Sequence, residues 1–486
     1  MLLSVITWNK FPRANPLRSG SVSRGWVILL LQAAVLAVYG QAQNGAATPE
    51  VRAEGGNAPV EITLAEAIRR AEASEPGYAA AKAARHSAAL DRNIARAGLL
   101  PTARLYSQDI YTQPNGITSE GDAGQPSAPL PKFVANDSRP WEYIAQGIVE
   151  ESLSLGGAAA VRRADAAAAA AAAEQEIARR GLVTSVTGMF YTSLAADRKL
   201  AVAMEAQQEA ADFSKLTRQR EQAREAAHAD VVKADLEQQQ RDRELGDAQA
   251  EAEKARLELG VLLFPDPRTP YTLKAEQQAA PLPSKDVVQQ AAVKNNPELK
   301  SAFAGLAESN ADVQAAWGAL LPSLGLSVNY GIDANQFSVN GPLLSPSAQY
   351  PNGQQARNLG YSTTFTVNLP IWDWLASESK VKQSEIRRDA AKVALTNTQR
   401  ELIAKLDEVY TEARVAHDQL ASLDASVDTA RESLRLTKLS YSGGEGTVLE
   451  VVDAETAYVT AANAREDGRV RYETARAELE TITGTL

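Results

Sequence analysis

The stretch Ser440-Tyr441-Ser442-Gly443-Gly444-Glu445-Gly446-Thr447-Val448-Leu449-Glu450-Val451-Val452-Asp453 decides how this chain is built. It lies between two long segments that read as helix. Residues 376–442 contain no Pro and no Gly, and residues 447–481 contain no Pro and a single glycine, Gly468. Three glycines (Gly443, Gly444 and Gly446) crowd the space between, where a reversing backbone visits conformations that other residues resist. Thr447 and Glu450 then stand at N-cap and N3 spacing, a capping box that restarts a helix. The stretch is the closed end of a helical hairpin, and a helix over residues 376–442 would be ~100 Å long. That exceeds the needs of a compact domain and suits a structure that bridges a distance.

A seam runs along the first of these helices. Leu402, Leu406, Val409, Ala413, Ala416, Leu420, Leu423, Val427, Ala430 and Leu434 alternate steps of four and three. A 3.5-residue period is the pattern of a coiled coil.

The chain has 486 residues, enough for several ordinary domains or one extended one. Hydrophobic residues make up 44% but aromatics only 6%, and Ala is abundant, which favours close helix–helix packing over a bulky core. Net charge is −10. The first 42 residues carry Lys10, Arg13, Arg18 and Arg24 and no acid, so the remainder carries −14 and offers no basic stripe to a nucleic acid. With no Cys in the sequence, disulfides, thiolate metal sites, Cys nucleophiles and a lipid anchor on an N-terminal Cys are not expected. Residues 26–39 form an apolar run after these basic residues and before Gly40-Gln41-Ala42, the layout of a secretory signal peptide over residues 1–42. At 14 residues the run is short for a bilayer span, the alternative being a membrane-anchored N-terminus, and no other long apolar run exists, so no helical membrane span is expected.

Residues 43–61 read as a linker. Thr63 and Glu66 form a second capping box, a short helix ends near Ser74, and Pro76 opens another that Pro101 stops. Residues 102–112 read as a strand, 113–140 as a polar loop, 141–155 as a strand, and 158–263 as a helical hairpin turning within residues 216–230. The same order then returns. Pro76 matches Pro297 and Leu99-Leu100-Pro101 matches Leu320-Leu321-Pro322, both at an offset of 221 residues. Strands at 323–333 and 359–372 flank a polar loop, and a hairpin over 376–484 completes the copy. The chain is a tandem duplication, residues 62–280 and 281–486.

Only four strands are expected, each near the ~9–11 residues of a tilted membrane strand, with weak alternation. Trp141 and Tyr143 open the second, and Trp372 and Trp374 close the fourth. Aromatics there suit a membrane interface or the lid of a hydrophobic core equally well. Four strands cannot close a barrel, so a membrane location would require about two, three or four copies, giving about 8, 12 or 16 strands.

These features resemble the TolC-like outer-membrane efflux proteins over residues 64–486. The paired Leu-Leu-Pro junctions, Asn296-Pro297-Glu298-Leu299, Tyr441-Ser442 with Gly444, residues 447–453 and the final Gly484-Thr485-Leu486 carry the resemblance. It implies a mainly α fold with a small β part: long antiparallel coiled-coil hairpins plus four transmembrane β-strands per chain. Three chains would form a 12-stranded barrel in outer-membrane lipid, continued by a 12-helix periplasmic tunnel. The tunnel tip would meet a periplasmic adaptor and an inner-membrane pump. By the same resemblance Glu450 and Asp453 fall where acidic rings narrow the tunnel entrance, and a ring of acids selects for cations. Each acid also has a local use, since Glu450 completes a capping box and both lie where the helix dipole favours negative charge.

The resemblance further implies a tip held by a Tyr, an acid on the neighbouring hairpin and a basic side chain. Tyr441 and Asp230 match the first two, but the basic position reads Gly446. Arg218, Arg220 and Arg224 are candidates to replace it, or form a solvated face with Glu221 and Glu225. Together with Gly443 and Gly444 these residues make the expected tip and adaptor-docking surface. His86, His228 and His417 are isolated, and no phosphate loop or nucleophile motif is present, so no enzyme, cofactor or metal site is expected. The expected function is an exit duct for small molecules in a tripartite efflux system. The alternatives are a duct for type I polypeptide secretion and a pore-free periplasmic scaffold.

Overall fold

The computed structural model of the protein describes residues 60–111, 141–274, 282–334, 336–344, 346 and 354–484. The expected signal peptide, linker residues 43–59, the loop 113–140 and the last two residues lie outside the described residues. Eight helices are described: α1 (Leu64–Ser74), α2 (Pro76–Ala97), α3 (Leu155–Gln222), α4 (His228–Leu263), α5 (Lys285–Asn295), α6 (Pro297–Gly318), α7 (Ala376–Ser442) and α8 (Val448–Thr483). Their lengths repeat almost residue for residue: 11, 22, 68 and 36 residues, then 11, 22, 67 and 36.

Local chemistry accounts for the boundaries. Thr63 caps α1 by accepting from the Glu66 N–H at 3.3 Å. Pro76 and Pro297 begin α2 and α6, where a missing N–H matters least, and Glu75 and Asn296 cap them. Ser154 accepts from the Gly157 N–H at 3.0 Å, so α3 starts at Leu155, before Gly156 and Gly157, rather than at 158. The strand that opens at Trp141 therefore closes at Leu153, not at 155.

The long helices α3 and α7 each run ~100 Å, and no single neighbour covers either. Helix α3 packs against α2 and α6 over one part of its length and against α4 and α8 over another. Helix α7 packs against α6 and α8 in the same way. On the α7 seam Leu402, Leu406, Val409, Ala413, Ala416, Val427 and Leu434 are buried, and Leu420, Leu423 and Ala430 partly so.

Eight strands are described, where four were expected. The four long ones, β2 (Thr102–Tyr111), β3 (Trp141–Leu153), β5 (Ser323–Ala334) and β8 (Leu359–Asn368), form one antiparallel sheet in the order β2-β3-β5-β8. Strand β8 stops short of the expected 372 because Pro370 has no N–H to continue a ladder. Two short pairs were missed. Strand β1 (Val60–Thr63) lies parallel to β4 (Tyr271–Lys274), so the linker ends at residue 59 rather than 61. Strands β6 (Asn340–Leu344) and β7 (Gln354–Arg357) pair within the segment expected to be a polar loop. Runs of four or five residues carry too little periodicity to be read from sequence.

The β1–β4 pair anchors a core at the flank of α3. Ile62, Ala67, Ala71, Leu182, Val186, Phe190, Leu259, Leu263 and Tyr271 are packed there, drawn from β1, α1, α3, α4 and β4. Phe190 is 1% exposed. Replacing Phe190 with Ala should lower the unfolding free energy by ~3–5 kcal/mol. Urea titration reads this as an earlier midpoint, and an unchanged midpoint would show that the cluster does not hold the helices together.

Candidate functional site

The two hairpins end in turns of matching geometry. In the first, the N–H groups of Ala223, Arg224 and Glu225 donate back to Gln219, Glu221 and Arg220. In the second, Gly443, Gly444 and Glu445 donate back to Leu439, Tyr441 and Ser440. Each turn passes one residue through the left-handed region, Arg224 at φ 60° and Gly444 at φ 84°. Glycine adopts this without penalty, whereas Arg224 holds it at a cost of about 1–2 kcal/mol.

A small apolar cluster joins the hairpins just behind these turns. Phe213 of α3, Ala234 of α4, Tyr441 of α7, and Val448 and Val451 of α8 are all buried in it. The Phe213 and Tyr441 rings meet edge to face at 5.0 Å. The Tyr441 hydroxyl donates to Thr217 Oγ1 at 3.2 Å, and Thr217 in turn donates to the Phe213 carbonyl at 2.9 Å. A phenol buried to 5% exposure thus keeps a hydrogen-bond partner.

Arg220 closes the cluster from outside. One of its guanidinium N–H groups donates to the Tyr441 carbonyl, its Cζ lies 5.0 Å from the centre of the Tyr441 ring, and Glu225 pairs with it at 3.5 Å. The carbonyl it reaches is near the C-terminus of α7, where the helix dipole favours a cation. Gly446 shows why no basic residue stands there. A Cβ at 446 would lie 2.9 Å from the Tyr441 backbone nitrogen and 3.2 Å from its Cα. The turn is folded too tightly for a side chain, and the cation comes instead from the other hairpin.

The remaining sequence candidates take other partners. Arg218 pairs with Asp235 at 2.9 Å. The Ser214 hydroxyl donates to the same carboxylate at 2.7 Å, and Ser214 and then Arg218 hold Asp235 below the usual carboxylate range. Asp230 stands in the first turn of α4, and its backbone N–H donates to Ala227 at 2.9 Å. Among the described residues no side-chain hydrogen bond or ion pair joins Asp230 to Tyr441. Glu450 Oε2 accepts from the Thr447 N–H at 2.8 Å, and Thr447 Oγ1 accepts from the Glu450 N–H at 3.3 Å, so this acid completes the cap. Asp453 is exposed one turn further on, with no side-chain partner among the described residues. Phe213, Thr217, Ser214 and Asp235 were not singled out from the sequence. The one available signal was Phe213, a lone aromatic in a polar stretch.

At the opposite end, two strands of the sheet, β5 and β8, share an apolar face. Leu324, Leu326, Val328, Tyr330 and Ile332 of β5 stand opposite Val367, Phe365, Thr363, Tyr361 and Leu359 of β8. The intervening residues of both strands are Gly, Ser, Thr, Asn or Asp, so these two strands alternate with the single exception of Thr363, where weak alternation was expected. Tyr361, Phe365, Val367 and Tyr330 are exposed, and neither outer edge of β2 or β8 is paired among the described residues. Tyr111, Trp141 and Tyr143 cluster at the end of the sheet away from the helices. Trp372 and Trp374 meet at 5.8 Å where β8 leads into α7. Aromatic groups therefore mark both ends of the sheet.

Comparison with known proteins agrees with this geometry. The sequence model described as outer membrane efflux protein matches residues 288–485. The outer membrane protein TolC of Escherichia coli is 23% identical over 166 residues, 34% of this chain and 33% of TolC. The proteases secretion protein PrtF of Dickeya chrysanthemi is 24% identical over 195 residues, 40% of each chain. The chain thus matches a third to two fifths of the length of these curated relatives. The solved CmeC outer membrane channel of Campylobacter jejuni shares the fold, with a TM-score of 0.70 at 15% identity, covering 87% of this chain and 85% of CmeC. The resemblance read from the sequence is borne out.

Replacing Arg220 with Ala should release the end of α7, since a cation–π contact and a charged hydrogen bond together contribute about 1–3 kcal/mol. Hydrogen exchange at residues 440–446 should then be faster by about 10-fold or more. Arg224→Ala, which leaves the cluster intact, should not accelerate it.

Proposed function

We propose that this chain, a member of the TolC-like outer-membrane efflux proteins, is one subunit of a trimeric exit duct. The observation that carries the reading is the pairing of a sheet that exposes an apolar face on β5 and β8, with both edges unpaired among the described residues, with helices ~100 Å long. A lipid-facing strand cannot leave its backbone groups unpaired. Joining the β8 edge of one copy to the β2 edge of the next satisfies them, and three copies give a closed barrel of about 12 strands. Strands of 10–13 residues have the length for that role, and the aromatic groups at both ends of the sheet support it. The domain limits at residues 62–280 and 281–486, with a signal peptide before them, belong to the same proposal.

Two helical surfaces support the trimer below the barrel. Val232, Leu236, Leu257 and Val261 are exposed on α4, and Ile386, Val393 and Ile403 on α7. Each would be covered by a neighbouring copy, giving a tunnel of about 12 helices in the periplasm. The chain provides a path rather than a reaction. The hairpin tips, with Arg218, Arg220, Arg224, Asp230, Tyr441, Gly443, Gly444 and Gly446, would form the entrance and the surface offered to a periplasmic adaptor and inner-membrane pump. Small molecules are the proposed cargo. The likeness to PrtF, a proteases secretion protein, supports polypeptide export as the second reading. Cross-linking the chain to its adaptor and pump in cells, and identifying which pump is recovered, separates the two.

The entrance acids divide by role. Asp453 is free to line an acidic ring, whereas Glu450 serves the α8 cap. Asp453→Ala should raise single-channel conductance and weaken cation preference in a planar bilayer, with stability unchanged. Glu450→Ala should destabilise the start of α8 by about 1 kcal/mol. Unchanged conductance in Asp453→Ala would remove the ring from the proposal.

The duct itself is tested by fractionation. The protein should be recovered in the outer membrane as a heat-sensitive, SDS-resistant oligomer, and Phe365→Arg should reduce that oligomer by weakening the lipid-facing sheet by ~2–4 kcal/mol. Recovery as a soluble periplasmic protein would favour a pore-free scaffold.

A further inference from the structure

Behind the tip cluster the seam between the two hairpins contains a second, very different contact. Glu455 of α8 is fully buried, and neither of its carboxylate oxygens accepts a hydrogen bond among the described residues. Facing it from α4 are Glu237 and Arg241, 6% and 3% exposed. Arg241 Nε lies 2.7 Å from Glu237 Oε1, an ion pair without a well-directed hydrogen bond, and 4.0 Å from Glu455 Oε1. The other guanidinium nitrogens are engaged elsewhere, with Glu244 at 2.6 Å and the Thr456 hydroxyl at 2.9 Å. From α3 comes Glu209, which pairs with Lys438 of α7. Two buried acids therefore converge on one guanidinium, which Glu244 also engages, and Lys438, a second cation acting on Glu455, is itself paired to Glu209.

Such a seam carries more negative charge than its cations neutralise. Burying an ionised carboxylate without hydrogen bonds is strongly unfavourable, and a proton removes the difficulty. We propose that Glu455, Glu237 and Arg241 form a proton-operated fastener between the two hairpins of one chain. With its proton, Glu455 lets α8 lie against α3 and α4. Without it, α8 loosens from them. Residues 453 and 455 lie two positions apart on the same helix, so loosening at Glu455 would also move the proposed entrance. The fastener itself stands on contacts within one chain and does not require the duct reading.

The direction of the pH response follows from burial. Burial is the main cause that lifts Glu455 from 4.5 to about 7, aided by Glu237 and Glu209 and opposed by Lys438 and Arg241. Below 4.5 the carboxyl is protonated whether the seam is closed or open, and the closed contact is fully stable. As pH rises from there through about 7, the open form ionises first and the closed contact is progressively weakened. Arg241, Glu244 and Thr456 also line a groove of about 620 Å³ that opens to solvent, so protons have a route to the seam.

The chain has no Cys, so spin labels can be placed at will. Gln239→Cys on α4 and Ala457→Cys on α8, both at exposed positions, report the width of the seam. Labelled protein is mixed with excess unlabelled protein in detergent, so that only distances within one chain are measured by double electron–electron resonance. At pH 5 the distances should form one narrow population. By pH 8 a second, longer population should appear. In Glu455→Gln the narrow population should persist at both pH values. Identical distributions at pH 5 and 8 in the parent, or a pH response that survives Glu455→Gln, would overturn the proposal. Glu237→Gln gives an independent reading should Glu455→Gln fail to fold. It frees Arg241 for Glu455, so the long population at pH 8 should shrink, and an unchanged or larger one would count against the fastener.

Discussion

A helix ~100 Å long has to be covered along its whole length, and among the described residues the helices packed most extensively on α3 and α7, of 22 and 36 residues, are each too short to do so alone. That constraint organises the molecule. Each repeat answers it with two shorter helices, one of 22 residues and one of 36, that accompany the long helix over different parts of its length. The place where one short helix ends and the next begins would expose the long helix. The first repeat fills it with α1 and the parallel β1–β4 pair, which bury Leu182, Val186 and Phe190. The second uses α5, whose Val288 and Ala292 pack on Leu406, Val409 and Leu479. These clusters are small, and the rest of the contact is close packing through Ala, Val and Ser. This is why the composition is rich in Ala and poor in aromatics.

The hairpin ends show how a tight turn and a long-range contact share one task. Gly446 leaves no room for a side chain, so the C-terminus of α7 receives its cation from Arg220, 221 residues earlier. The Tyr441 side chain is anchored on the same partner helix through Thr217 and Phe213. The end of one hairpin is therefore built partly from the other. Further along the seam the contact changes character. Val448 and Val451 give way to Glu455, so an apolar clasp is followed within two helical turns by one whose strength depends on a proton.

Much of this architecture is local and could be read residue by residue. Pro76 and Pro297 open helices, Pro101 and Pro322 close them off, and Thr447 with Glu450 restarts α8, because caps and prolines act through their own backbone neighbours. The apolar face of β5 and β8 was also present as alternation, but it stood out only once the register set Leu324 through Ile332 opposite Leu359 through Val367. The β1–β4 pair was not legible. Its strands are four residues each and lie 211 positions apart, so neither holds enough pattern to announce itself.

The sequence by itself determined the duplication, the two hairpins, the long strands and the turn residues, since each depends on spacing within a few residues or on an offset between copies. Only the tertiary structure decided what the charged groups do. Arg218, Arg220 and Arg224 look interchangeable in sequence, yet one pairs with Asp235, one seals Tyr441 and one turns the chain at φ 60°. Glu450, Asp453 and Glu455 lie within six residues of one helix, yet one caps it, one faces solvent and one is buried against Arg241. A charge takes its energy from what surrounds it in space, and on a helix a single position turns a side chain through about 100° to different surroundings.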